Sequence, residues 1–60
     1  MKIKEILIKV TESDGIYCGA NDDHNILCHG IDDDDLKYNI DEELHNIFGN
    51  NIPKAIYVVL

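Results

Sequence analysis

The stretch IDDDDLKYNIDEELHNIFGN, residues 31–50, decides the fold. Leu36, Ile40, Leu44, Ile47 and Phe48 follow one another at spacings of four, four, three and one, an apolar stripe on a 3.6-residue period. Lys37, Asn39, Asp41, Glu42 and His45 fall away from that stripe. The aspartates ahead of it suit a helix start. Asp32 can supply the N-cap oxygen, and Asp33, Asp34 and Asp35 put negative charge in the first turn, where the helix dipole favours it. Gly49 stands where a left-handed C-cap belongs, and Pro53 stops the helix from resuming. The spacing predicts one helix over residues 33–48.

Outside this stretch the apolar period drops to two. Residues 3–12 read as a strand with Ile6, Ile8 and Val10 on one face and Leu7, Lys9 and Thr11 on the other. Ser13-Asp14-Gly15 is a hairpin turn, since Asp bonds locally and Gly supplies a positive φ. A second strand runs from about Ile16 to Ala20, a polar loop covers 21–25, and a third strand runs from Ile26 to His29. Ala55 to Leu60 make a fourth, apolar on both faces. The order is therefore β-β-β-α-β, a single α+β domain over residues 1–60. The first three strands form an antiparallel meander, and the helix crosses to a last strand parallel to the first. A right-handed crossover predicts a four-stranded mixed sheet in the order 3-2-1-4, with the helix packed on one face.

Composition bounds the function. A chain of 60 residues has little interior, which argues against an enzyme with a deep, walled pocket. Five lysines, no arginine and twelve acids give a net charge of −7, so no basic stripe is available for phosphates and no direct nucleic-acid binding is expected. Residues 1–20 are balanced, whereas residues 21–50 hold nine acids against Lys37 alone. Such a field attracts a basic protein surface. The first residues, Met1-Lys2-Ile3-Lys4-Glu5, carry charge where a signal peptide needs an apolar run, and no stretch approaches a membrane span. A cytoplasmic location, reduced Cys18 and Cys28, and no membrane partner are the expectation.

Cys18, His24, Cys28 and His29 are the residues with the chemistry to hold zinc, but their spacing lacks Cys-x-x-Cys or His-x-x-x-His. If the second hairpin turns about residue 23, Cys18 lies opposite Cys28 on the face of Ile16, Ala20 and Ile26. His29 then points to the other face beside Tyr17, and His24 stays in the loop. The four cannot converge on one ion, and small cysteines under the helix are the better account. Asp22-Asp23 and the Asp32–Asp35 run are adjacent acids rather than an alternating calcium loop or a catalytic set. Neither a metal, a cofactor nor a catalytic residue is expected. Tyr38 lies opposite the apolar stripe near Asp34, Asp41 and Glu42, and an exposed aromatic ringed by acids suits protein binding. The expected partner-binding set is Asp22, Asp23, Asp33, Asp34, Tyr38, Asp41 and Glu42. Leu7, Tyr17, His29 and Tyr57 are assigned to an open sheet face available to a second copy.

The run Asp14-Gly15-Ile16-Tyr17, followed by Leu27-Cys28-His29-Gly30-Ile31-Asp32 and an amphipathic helix, resembles the HicB-like antitoxin domain. Gly30 resembles the second glycine of that family's motif, Asp32 stands at its helix-capping position, and Leu36, Ile40 and Leu44 fall at its buried helix positions. The β-β-β-α-β order is similar to that fold, a trimmed RNase H architecture without the nuclease carboxylates. The loop Asn21-Asp22-Asp23-His24-Asn25 differs from the family's proline-rich segment. With no segment after Leu60 for DNA binding, the resemblance implies toxin binding alone, against a small basic ribonuclease of the HicA-like kind that targets mRNA.

The expectation is thus a small acidic interaction module, a homodimer, that blocks a basic protein and catalyses nothing. Two alternatives use the same residues. One is a phage-type acidic inhibitor whose carboxylates imitate nucleic-acid phosphates on the way to a host defence protein. The other is a structural domain that only self-associates.

Overall fold

A computed structural model describes residues 4–60. The elements are β1 (Glu5–Ser13), β2 (Ile16–Asn21), β3 (Ile26–Gly30), α1 (Asp33–Phe48) and β4 (Lys54–Val59). They form one four-stranded mixed sheet in the order β3-β2-β1-β4, with β4 parallel to β1 and the other pairs antiparallel. The expected start of the first strand, Ile3, lies outside the described residues.

The alternation in β1 sets the layer. Ile6, Ile8 and Val10 point to the helix side and join Ile26, Leu36, Ile40 and Leu44 in the core, all buried. Fully burying an aliphatic side chain of this size contributes about 1.5–3 kcal/mol, so these seven residues carry most of the driving force. Ile47, which the stripe counts among the apolar residues, is left 41% exposed, and Phe48 packs on the edge of the core beside the His24 ring.

Both helix ends are closed by residues named from the pattern. Asp32 is extended, and its Oδ1 accepts from the Asp35 N–H at 2.8 Å. Asp35 returns the bond, its Oδ2 accepting from the Ile31 N–H at 3.0 Å, in the manner of a capping box. At the other end the Gly49 N–H donates to the His45 carbonyl at 2.9 Å with φ of 63°. The first hairpin turns on Asp14 and Gly15, both at positive φ, while Glu12 Oε2 accepts from the Gly15 N–H.

The second hairpin differs from expectation by one residue. Its loop is Asp22–Asn25, held by Asn21, whose Oδ1 accepts from the His24 N–H and whose Nδ2 donates to the Leu7 carbonyl, both at 2.9 Å. A four-residue loop makes Cys18 face His29 and Gly19 face Cys28. One residue of slip reverses every side chain of a strand. The first hairpin slips too, because Ser13, expected in the turn, pairs with Ile16. So Tyr17, Gly19 and Asn21 of β2 share the helix side with Val10, while Ile16, Cys18 and Ala20 look out from the open face. Packing enforces this arrangement. A Cβ on Gly19 would lie 3.0 Å from Ile8 Cγ2 and 3.2 Å from Ile40 Cδ1, so no larger residue of β2 fits beneath the helix there.

The helix settles over β3 and β2 rather than over the middle of the sheet. Gly30 permits this, because its Cα comes into backbone contact with Leu36. Asn39 Nδ2 then donates to the His29 carbonyl at 2.6 Å, and the Cys28 thiol sits 3.7 Å from the Asn39 carbonyl. β4, at the far edge, is left half-covered: Tyr57 is partly buried but Val59 is 77% exposed.

Candidate functional site

The solvent side of α1 carries the strongest concentration of like charge. Asp33, Asp34, Tyr38, Asp41 and Glu42 are all exposed, on turns that alternate with the buried Leu36, Ile40 and Leu44. A 16-residue helix spans about 24 Å, so these groups cover its first two-thirds. Tyr38 is 63% exposed and hydrogen-bonds Glu42 one turn on. That bond, with the Glu42 charge behind it, pushes the phenol above its ordinary range, so the ring stays neutral and its hydroxyl remains a donor. One counterion accompanies the acids, Lys37, whose Nζ lies 3.6 Å from Asp33, and the His45 ring stands with Nε2 3.7 Å from Asp41. Exposed pairs of this kind contribute at most about 1 kcal/mol and are screened by salt. Asp34 and Glu42 have no cationic partner among the described residues.

The quartet divides into two roles. Asp32 and Asp35 are spent on the helix start, whereas Asp34 touches nothing that folding requires. Asp32→Ala should therefore cost about 1 kcal/mol of stability. Asp34→Ala should stay within about 0.5 kcal/mol, as surface substitutions do. Urea midpoints of the two variants measure the difference, and equal losses would show that the cap is not what Asp32 supplies.

Asp22 and Asp23 do not join this face. Their loop sits by the C-terminal end of α1, where the His24 and Phe48 ring centroids are 5.3 Å apart. There they border a shallow hollow of about 230 Å³ on the open side of the sheet, with Leu7, Lys9, Ala20 and Asn21. Asp33, at the opposite end of the helix, borders a second open hollow with Val10, Tyr17, Val59 and Leu60. The acids thus divide into an outer helical group of Asp34, Asp41 and Glu42, Asp33 on the flank toward β4, and a separate pair at Asp22 and Asp23.

The open sheet face also needs correction. Leu7 and His29 lie on it, Leu7 46% exposed. Tyr17 and Tyr57 do not. The β2 register turns Tyr17 to the helix side, and the parallel pairing sets Tyr57 beside Ile8 and Ile56 beside Leu7. Both tyrosines pack against the core, and Lys37 Nζ stands 5.5 Å from the Tyr57 ring centroid. Burial, then the charges of Asp41 and Asp33, push the Tyr57 phenol above its usual range. Cys18, Ala20, Leu27, Ile56 and Val58 take the places on the open face.

The two thiols are free and on opposite faces, Cys18 outward and Cys28 under the helix, rather than both beneath it. Burial, with Glu43 and Cys18 adding to it, raises the Cys28 pKa, which keeps the thiol protonated and unreactive. His29 lies across from Cys18, and His24 is held at the loop by Asn21. No three metal-binding side chains come together among the described residues. No helix among them is long and apolar enough to cross a membrane. Asn21 and Asn39, which fix the second hairpin and the helix position, carry no pattern in the sequence that marks them out. No protein-family model matches the chain, and neither does any curated protein or solved structure.

Proposed function

We propose that this chain is a small acidic interaction domain that holds a basic protein against the outer face of α1 and blocks it by occupancy and charge, with no chemistry of its own. The observation that carries the reading is the group Asp34, Tyr38, Asp41 and Glu42, exposed on the side of the helix away from the core, with Asp33 exposed on the flank toward β4 and paired with Lys37. A neutral aromatic among carboxylates suits such a partner. Its ring can anchor by area and by contact with cations, while the surrounding charge steers encounter. The resemblance to HicB-like antitoxin domains supplies a candidate partner class, a small basic toxin-like ribonuclease of the HicA-like type. A nucleic-acid-binding protein with a comparable basic surface is the wider class. Asp22 and Asp23 lie outside this interface in the proposal.

The test is affinity capture from the source cells on immobilised chain, followed by measured binding of the captured protein. The expected ligand has an excess of Lys and Arg, is released as salt rises, and binds the Asp34→Lys/Glu42→Lys variant at least about tenfold more weakly. An Asp22→Lys/Asp23→Lys variant should bind nearly as well as the unmodified chain. Equal binding by the helix variant would remove the proposal.

A further inference from the structure

The two edges of the sheet are finished differently. At the β3 edge, Asn39 reaches over from α1 and takes the outward carbonyl of His29. At the β4 edge, no helix or loop among the described residues covers the strand. The Lys54 N–H donates to the Lys4 carbonyl and the Leu60 N–H to the Val10 carbonyl, both at 2.9 Å. In a parallel ladder alternate residues bond to the same neighbour. Ile56 and Val58 therefore also bond to β1, and the N–H and C=O groups of Ala55, Tyr57 and Val59 point away from the sheet.

We propose that this edge is a self-association site, in which β4 pairs antiparallel with β4 of a second copy about a twofold axis at Tyr57. The backbone pattern selects both partner and register. With Tyr57 opposite its own symmetry mate, Ala55 faces Val59 of the second copy, and all three outward residues fall in pairs that exchange two hydrogen bonds each, about six in total. Displacing the axis toward the start of the strand brings Pro53, which has no N–H, into the ladder, and two bonds are lost. Side chains agree with the backbone. Ile56 meets Val58 on the open face beside Leu7, and Ala55 meets Val59 on the helix side.

Charge and area fit a copy of this chain. The strand carries one charged residue, Lys54, and no proline or bulge, so it lacks the devices that keep free edges apart. The β2–β3 loop, with Asp22 and Asp23, belongs to the opposite edge of the sheet, and of the helix carboxylates that reach β4, Asp33 borders a hollow with Val59 and Leu60 but is paired with Lys37. Near β4 stand the lysines Lys9, Lys37 and Lys54, which soften repulsion between two acidic chains. A six-residue strand is about 20 Å long. Pairing it with the flanking side chains buries on the order of 1,000 Å² in total, the lower bound for a specific interface. The result is a continuous eight-stranded sheet that leaves both acidic helices free, so the dimer would present two copies of the proposed binding face.

Sedimentation of the purified chain from about 10 μM to 1 mM tests this, a range that brackets the affinity expected for so small an interface. Dimer should form within that range. Val59→Lys, at a position already exposed in the monomer, should weaken it at least about tenfold with an unchanged circular dichroism spectrum, and Leu27→Lys on the open face should not. Hydrogen exchange of the unmodified chain gives a second readout independent of folding in the variants. The amides of Ala55, Tyr57 and Val59 should exchange at least about tenfold more slowly at the high concentration than at the low one. A monomer throughout, a dimer broken by Leu27→Lys and not by Val59→Lys, or exchange at those three amides that ignores concentration would each overturn the proposal.

Discussion

Gly30→Ala should melt at least about 15 °C below the unmodified chain, a loss of about 3 kcal/mol or more at the 4–8 °C per kcal/mol expected of so small a domain. The added Cβ would overlap the backbone nitrogen of Leu36 and lie 2.7 Å from its Cα and 3.0 Å from the Asp35 carbonyl carbon. Those atoms belong to the first turn of α1, which is locked by the Asp32 and Asp35 caps. A side chain could rotate away, but backbone cannot. The whole helix must lift from β3, breaking the Asn39–His29 bond and opening the core at Leu36. Thermal melting by circular dichroism measures the effect. A shift below about 5 °C would mean that the helix does not contact the strand backbone there.

Ile8→Ala should cost about 2–5 kcal/mol, the range for deleting a fully enclosed aliphatic side chain. Ile8 is 0% exposed at the centre of the central strand β1, with Gly19 against its Cγ2 on one side and Tyr57 paired beside it on the other. No neighbour can collapse into the space, since Gly19 has no side chain and Tyr57 is already placed against the core. A domain of 60 residues has only about 3–9 kcal/mol in all. The variant should thus be mostly unfolded or nearly so at 37 °C. Leu7→Ala, one residue along on the open face, should stay within about 1 kcal/mol. Similar losses at the two positions, read from urea midpoints, would contradict the assignment of the two faces.

The sequence carries the helix and the central strand strongly, and the peripheral strands weakly. Leu36, Ile40 and Leu44 with the Asp32 cap define α1 to the residue, and Ile6, Ile8 and Val10 orient β1 without ambiguity. From those two elements the crossover rule leads to the observed order β3-β2-β1-β4. The β2 strand, Ile-Tyr-Cys-Gly-Ala-Asn, has no charge to mark its solvent side, and either face could pass for apolar. Its orientation depends on the first hairpin, where a two-residue turn at Asp14-Gly15 keeps Ser13 in the ladder opposite Ile16. That shifts the register by one from a turn over Ser13-Asp14-Gly15, and the loop at 22–25 shifts in step. That one-residue difference moved Tyr17 inward and Cys18 outward. The facing of Tyr57 is hidden for a related reason: β4 is apolar on both sides, and only its pairing with β1 assigns its faces. The binding face inherits this division. Asp34, Tyr38, Asp41 and Glu42 follow from the 3.6-residue period, whereas Asp33 falls in line with Leu36, Ile40 and Leu44 and turns to the flank, and the charge of Asp22 and Asp23 alone does not place them beside the helix.

The most direct measurement is photo-crosslinking from the helix itself. A benzophenone amino acid replaces Tyr38 in one chain and Leu27 in another, and each is illuminated with the captured partner. Crosslinks from position 38 to a lysine- and arginine-rich surface, suppressed by high salt and absent from position 27, are the expected outcome. Crosslinking from position 27 alone, or to a partner surface without basic residues, would contradict the view that the acidic side of α1 is where this domain meets its partner.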